Sequence, residues 1–67
     1  MTRLRARRTE LNLSQAELGR RMGIDPSIVR HVEAGRLKAY PRFRRVAAAL
    51  LGMPEDDLFG DEETPLT

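Results

Sequence analysis

Residues 14–33, SQAELGRRMGIDPSIVRHVE, constrain this chain more than any other segment, because they specify two short helices and the tight turn between them. Ser14 and Glu17 have the spacing of a capping box, in which the serine oxygen accepts an orphan backbone N–H and the glutamate reaches back. Leu18 and Met22 lie four apart on one helical face. Gly23 stands where a left-handed residue ends a helix. Asp25 and Pro26 restart it as an N-cap and a proline already set at helical φ. Ile28, Val29 and Val32 give the second helix a buried stripe. Two short amphipathic helices joined this closely form a helix-turn-helix unit, for which any small helical hairpin is the plainer alternative.

The flanking residues supply three more helices and no strand. Thr2 caps a first helix to about Leu11, with Leu4 and Leu11 turned inward, and Asn12 tolerates the left-handed exit. The second and third helices run over 15–22 and 26–34, and Gly35 ends the third. Pro41 opens a fourth, where Phe43, Val46, Ala47 and Leu50 recur at i, i+3, i+4 and i+7. Gly52 stops it. Pro54 starts a short fifth helix, whose Glu55, Asp56 and Asp57 suit the positive end of the dipole and whose Leu58 and Phe59 fold back onto the core. The expected fold class is all-α, a five-helix domain over 1–59 followed by a flexible acidic tail over 60–67.

Size and charge narrow the function. A chain of 67 residues buries only about 60% of its unfolded surface, which leaves no room for a substrate cavity beside the core and points away from an enzyme. The chain has no cysteine and one histidine, so no metal or other cofactor is expected. The longest apolar run, VAAALLGM, is too short for a membrane span and sits too late for a signal peptide, so a soluble cytoplasmic protein is expected. The net charge of +2 hides a strong asymmetry. Twelve basic residues against Glu10, Glu17, Asp25 and Glu33 leave +8 up to Pro54, and six acidic residues beyond it give −6. A small body at +8 attracts polyanions, of which nucleic acid is the usual one; a well-solvated surface is the alternative.

The ordered set Arg8, Leu13-Ser14-Gln15, Gly23, Val29-x-x-Glu33-x-Gly35, Pro41-Arg42-Phe43 and Leu51-Gly52-Met53 resembles the phage repressor/Cro (XRE) family of helix-turn-helix DNA-binding domains, over about residues 3–59. The resemblance implies a lambda-repressor-like fold and double-stranded DNA as partner, bound as a homodimer with the third helix in the major groove. It places Pro26, Ser27 and His31 at base edges, to which the exposed Arg30 adds a guanidinium able to grip guanine O6 and N7 or lean on a phosphate. Pro26 departs from the family's polar residue and offers only apolar contact, as to a thymine methyl. Ser27 can donate or accept with little discrimination, and for His31 an ordinary exposed surface position is the alternative. Ser14, Gln15, Arg8, Arg36, Lys38 and Arg42 fall at backbone contacts, with Arg42 able to enter a narrow minor groove. Arg8 and Glu33 match a structural ion pair joining the first and third helices. Relative to the closest phage pattern Tyr40 adds one residue to the loop after the third helix, a departure that bears on both the phase of Arg42 and the dimer contact. Leu37, Tyr40, Leu51 and Leu58 are expected to be partly exposed and to form dimer contacts. Arg3, Arg5, Arg7, Arg44 and Arg45 are read as solvated or phosphate-facing.

The leading expectation is a small transcriptional regulator of bacterial or phage origin, a Cro-like or stand-alone repressor occupying an operator. An antitoxin or an adaptor on a protein partner such as a toxin or polymerase subunit would use the same fold. A recombination accessory factor, marked by strong DNA bending, is a third reading.

Overall fold

A computed structural model describes residues 2–60. It contains five helices: α1 (Arg3–Glu10), α2 (Gln15–Met22), α3 (Pro26–Glu33), α4 (Pro41–Leu51) and α5 (Glu55–Phe59). No strand occurs among the described residues. Apart from Gly60, the expected acidic tail lies outside them.

The helix boundaries follow from local chemistry. Thr2, Ser14 and Asp25 each sit in extended backbone and accept an N–H with a side-chain oxygen, from Arg5, Glu17 and Ser27 respectively. Each such cap removes one of the donors that a helix start leaves orphaned. Half of the expected capping box is present. Ser14 Oγ accepts from Glu17 N at 2.9 Å, but the Glu17 carboxylate turns to Arg20 and Arg21, at 2.8 and 3.1 Å. At the other end of α2, Gly23 has φ +75°, Gly23 N donates to Arg20 O, and Ile24 N donates to Gly19 O. That bond pair is a Schellman ending, and the left-handed residue it requires favours glycine. Asn12, at φ +58°, ends α1 in the same way through Asn12 N to Thr9 O and Leu13 N to Arg8 O.

Every helix contributes to one core. Leu4, Leu18, Val29, Val32, Phe43, Ala47, Leu51, Leu58 and Phe59 are all buried, with Ala39 beside them. Phe43 and Phe59 meet edge to face, ring centres 6.1 Å apart, which joins α4 to α5. Arg44 lies over the Phe59 ring at 5.6 Å and faces Glu55 at 3.7 Å, so part of the expected basic surface is spent on α5. Arg7 is likewise internal in role. Its Nε donates to Leu51 O at 2.9 Å, tying α1 to the end of α4.

Four expectations about apolar positions are corrected. Leu11 and Leu50 are exposed rather than inward, while Leu51 and Leu58 are buried rather than available at a surface. The cause in α4 is one residue of helical phase. The face that packs is Phe43, Ala47 and Leu51, spaced by four, and Leu50 lies about 100° around the helix from Leu51. In α5, Leu58 and Phe59 both reach the core because a helix of one turn is covered on several sides by α1 and α4.

Gly19 sets the approach of α2 to α3. A Cβ built there would stand 2.8 Å from Pro26 Cα, 3.1 Å from Pro26 N and 3.3 Å from Ile24 O. These are backbone atoms and cannot swing aside. Alanine is the better helix former by about 1 kcal/mol, but overpacking of this kind costs about 1–3 kcal/mol. Gly19→Ala is therefore expected to lower the thermal midpoint. An unchanged or raised midpoint would show that α2 and α3 separate without penalty.

Candidate nucleic-acid interface

The α3 helix divides cleanly by face. Val29 and Val32 are in the core and Ile28 packs against it. Pro26, Arg30 and Ala34 lie at four-residue spacing on the opposite side, with Pro26 and Arg30 exposed and Ser27 and His31 beside them. The structure thus gathers Pro26, Ser27, Arg30 and His31, the four expected base-contact residues, onto the outward side of one helix. Pro26 and Arg30 stand furthest out. His31 is less available, since its Nδ1 is enclosed without a hydrogen-bond partner.

The angle of α3 is held by a charged node. Arg8 Nε donates to Glu33 Oε2 at 2.6 Å, and Arg8 Nη2 donates to Glu33 Oε1 at 2.9 Å. This is the two-pronged geometry that makes arginine–carboxylate pairs strong. The remaining nitrogen, Nη1, donates to Leu13 O at 2.8 Å, and the two side chains are only 8% and 4% exposed. The predicted ion pair is present. The expected phosphate contact of Arg8 is corrected to an internal role, because each of its three guanidinium nitrogens donates within the fold and the side chain is almost fully buried.

Gln15 joins the same node. Its Nε2 donates to Glu33 Oε1 at 3.0 Å, so the side chain is oriented rather than loose at the surface. One amide N–H remains, next to the backbone N–H groups of Gln15 and Ala16, which have no acceptor within the helix. The hydroxyl of Ser14 accepts the cap bond from Glu17 N. The start of α2 is therefore open to an anion, and Gln15 is held at its edge.

The start of α3 differs. Pro26 has no N–H, Ser27 N donates to Asp25 Oδ1 at 2.9 Å, and Ile28 N donates to Asp25 O at 2.9 Å. The bond from the Ser27 backbone, then that from its side chain and the positive Arg30, hold the Asp25 carboxyl below its ordinary value of 3.8.

The end of α3 fixes the start of the basic loop. Gly35 N donates to Val32 O and Arg36 N to His31 O, at 3.1 and 2.9 Å. Arg36, Lys38 and Arg42 are all exposed, as are Leu37 and Tyr40. Tyr40 is the N-cap residue of α4 but makes no side-chain cap bond; its ring stands edge-on to Phe43 at 5.8 Å. Of the expected dimer contacts, only Leu37 and Tyr40 are thus on the surface.

Sequence reasoning overlooked the closed start of α3 and the close approach at Gly19. A glycine inside a helix was the available signal for the second, because it is unfavourable there unless packing requires it. The internal roles of Arg7 and Arg44 had no local signal.

Among the described residues, no group of three or more His, Asp or Glu is placed to hold a metal, and no helix is long and apolar enough to cross a membrane. The model of one protein family, described as a helix-turn-helix domain, matches residues 2–58. No individually curated protein matches the chain.

Three outcomes follow from the node and the cap. Glu33→Ala leaves the Arg8 cation buried and unpaired at about 3–5 kcal/mol, comparable to all the stability a core this small supplies. Loss of the helical circular dichroism signal at 25 °C is expected, and a wild-type thermal midpoint would contradict the node. Gln15→Ala removes one hydrogen bond and is expected to cost about 0.5–1.5 kcal/mol. Asp25, with its native value lowered, adds stability that is complete above 3.8 and vanishes as pH falls through the lower native value. The wild type and Asp25→Asn should converge in thermal midpoint on acidification from about pH 5 to about pH 2. A constant difference over that range would contradict the charged cap.

Proposed function

The chain belongs to the helix-turn-helix domain family, a DNA-binding family, and we propose that it is a sequence-specific regulator of transcription, a Cro-like or stand-alone repressor that occupies an operator in the cytoplasm as a homodimer. The observation that carries this reading is the two-faced α3, whose outward side bears Pro26, Ser27, Arg30 and His31 while Arg8 and Glu33 hold it from behind. An α-helix presenting such a side fits the major groove. Arg30 reads guanine through O6 and N7, Ser27 and His31 add single hydrogen bonds, and Pro26 contacts a thymine methyl.

Phosphates seat at the open start of α2, on the backbone N–H groups of Gln15 and Ala16 with the Gln15 amide beside them. Ser14 flanks that seat. Arg36 and Lys38 follow the backbone after α3, and Arg42 enters the adjoining minor groove. The two-fold contact is built on Leu37 and Tyr40, which are 39% and 37% exposed in the loop between the reading helix and α4. It spaces two copies of α3 by about 34–36 Å, one turn of the duplex. Residues 1–59 act as the binding unit, and 60–67 form an acidic tail attached to it. No catalytic role is assigned to any residue.

A second reading, a protein-binding adaptor or antitoxin, draws on a separate feature. Leu11 and Leu50, 40% and 41% exposed, border an open depression of about 510 Å³ that also involves Leu13. It is lined by the α1–α2 loop, by Ser14, Glu17 and Arg21 at and along α2, and by Leu50 of α4, so an occupant leaves α3 free but comes up to Ser14 beside the phosphate seat.

An anisotropy titration of a duplex across salt concentrations tests the DNA reading. With about 6–10 phosphates per dimer, log K should fall against log salt with a slope of about −0.9 per phosphate. Lys38→Ala, which removes a backbone contact, should lower the magnitude of that slope by about 1 and weaken binding to all sequences alike. Arg30→Ala should cost about 1–3 kcal/mol on the best site and relax preference at one base pair. A flat salt dependence would overturn the reading.

A further inference from the structure

The two helices of the motif meet an anion differently, and the difference is chemical. At α2 the neutral Ser14 caps and backbone N–H groups remain open. At α3 Pro26 supplies no N–H, and Asp25 takes the next two with its Oδ1 and its backbone oxygen. Serine or asparagine supplies the same side-chain acceptor at this position. The cap bond itself therefore does not require the negative charge, which adds to it through the helix dipole. The other two acids of the motif are engaged, Glu17 by Arg20 and Arg21 and Glu33 by Arg8 and Gln15, which leaves Asp25 as the anion facing solvent at the tip of α3. Exposed, and with its carboxyl held below 3.8 by the Ser27 bonds and Arg30, it is ionised at neutral pH.

We propose that Asp25 determines DNA specificity by exclusion, repelling phosphates and acceptor base edges from the tip of α3 and admitting only an amino-bearing base there. The inference rests on the DNA-binding reading and adds a discriminating residue to it. Oδ1 is engaged by Ser27 N, and the carboxylate has no proton to donate, so Asp25 can only accept. In the major groove, cytosine N4 and adenine N6 donate, whereas guanine N7 and O6, adenine N7 and thymine O4 accept. Phosphate oxygens also accept and are charged. Placed on a body that is otherwise basic, one carboxylate at the reading tip weakens indiscriminate docking more than docking on a site with an amino group in that register. It lies at the N-cap, five residues before Arg30, so its field also falls on that guanidinium.

The test uses the full chain, a pool of random-sequence duplexes of 20–24 base pairs (about two helical turns), and the sequences that the wild type enriches from it. Asp25→Asn and Asp25→Ser keep the cap and remove the charge, and circular dichroism confirms that both variants fold. Both should bind the unselected pool about three- to tenfold more tightly than the wild type at the same salt. Their ratio of selected-site to pool affinity should fall by a similar factor. The pool gain should persist in an Arg30→Ala background, because the repulsion acts on DNA directly. Unchanged or weaker pool binding by the folded variants would overturn the proposal, as would a gain that vanishes without Arg30. A wild type that binds no duplex would instead remove the DNA-binding reading beneath it.

Discussion

The Arg8–Glu33 pair, with Gln15 as its third member, is the interaction on which the rest depends. It ties α1, α2 and the last turn of α3 together through four hydrogen bonds, counting that to Leu13 O. Buried ion pairs add little net stability when formed, because desolvation offsets the attraction, but breaking one strands a charge. The node therefore fixes an angle more than it deepens the well. Two apolar contacts could slide or rotate against each other. A two-pronged guanidinium–carboxylate contact has one geometry, and it makes α3 and the start of α2 a single rigid surface.

That rigidity gives the charge distribution its meaning. The basic residues of the chain do not form a uniform shell. Arg7 and Arg8 are spent inside the fold, Arg44 covers Phe59, and Arg20 and Arg21 share Glu17. Arg30, Arg36, Lys38 and Arg42 are exposed on the helix and loop that follow the tight turn. In the acidic first turn of α5, Glu55 faces Arg44 at 3.7 Å. Arg3, Arg5 and Arg45 are exposed as well, on α1 and α4, so the cations available to a polyanion are the run beside α3 together with these three, a division that the net charge alone does not reveal.

The helix starts and stops were legible in the sequence because they are local. Ser14, Gly23, Asp25, Pro26 and Pro41 act through bonds and dihedral limits within a few residues, and all five stand where their chemistry places them. The ion pair was legible through family resemblance, since residues 25 apart carry no local signal. Facing was harder. Leu50 and Leu51 are adjacent leucines, and only the packing of α4 on its neighbours decides which one is buried. The closed start of α3 was visible in Asp25 and Pro26 as capping, but its consequence emerges only when each N–H is followed to its acceptor.

The central claim is that the outward side of α3 and the open start of α2 form one surface that meets a duplex. The most direct measurement is the change in backbone amide chemical shifts of the labelled protein on adding a DNA duplex enriched from a random pool. The account predicts that shifts concentrate at Ser14 to Ala16, Ser27 to His31 and Arg36 to Arg42, with Leu11 and Leu50 unmoved. Shifts centred on Leu11 and Leu50, with α3 silent, would contradict it.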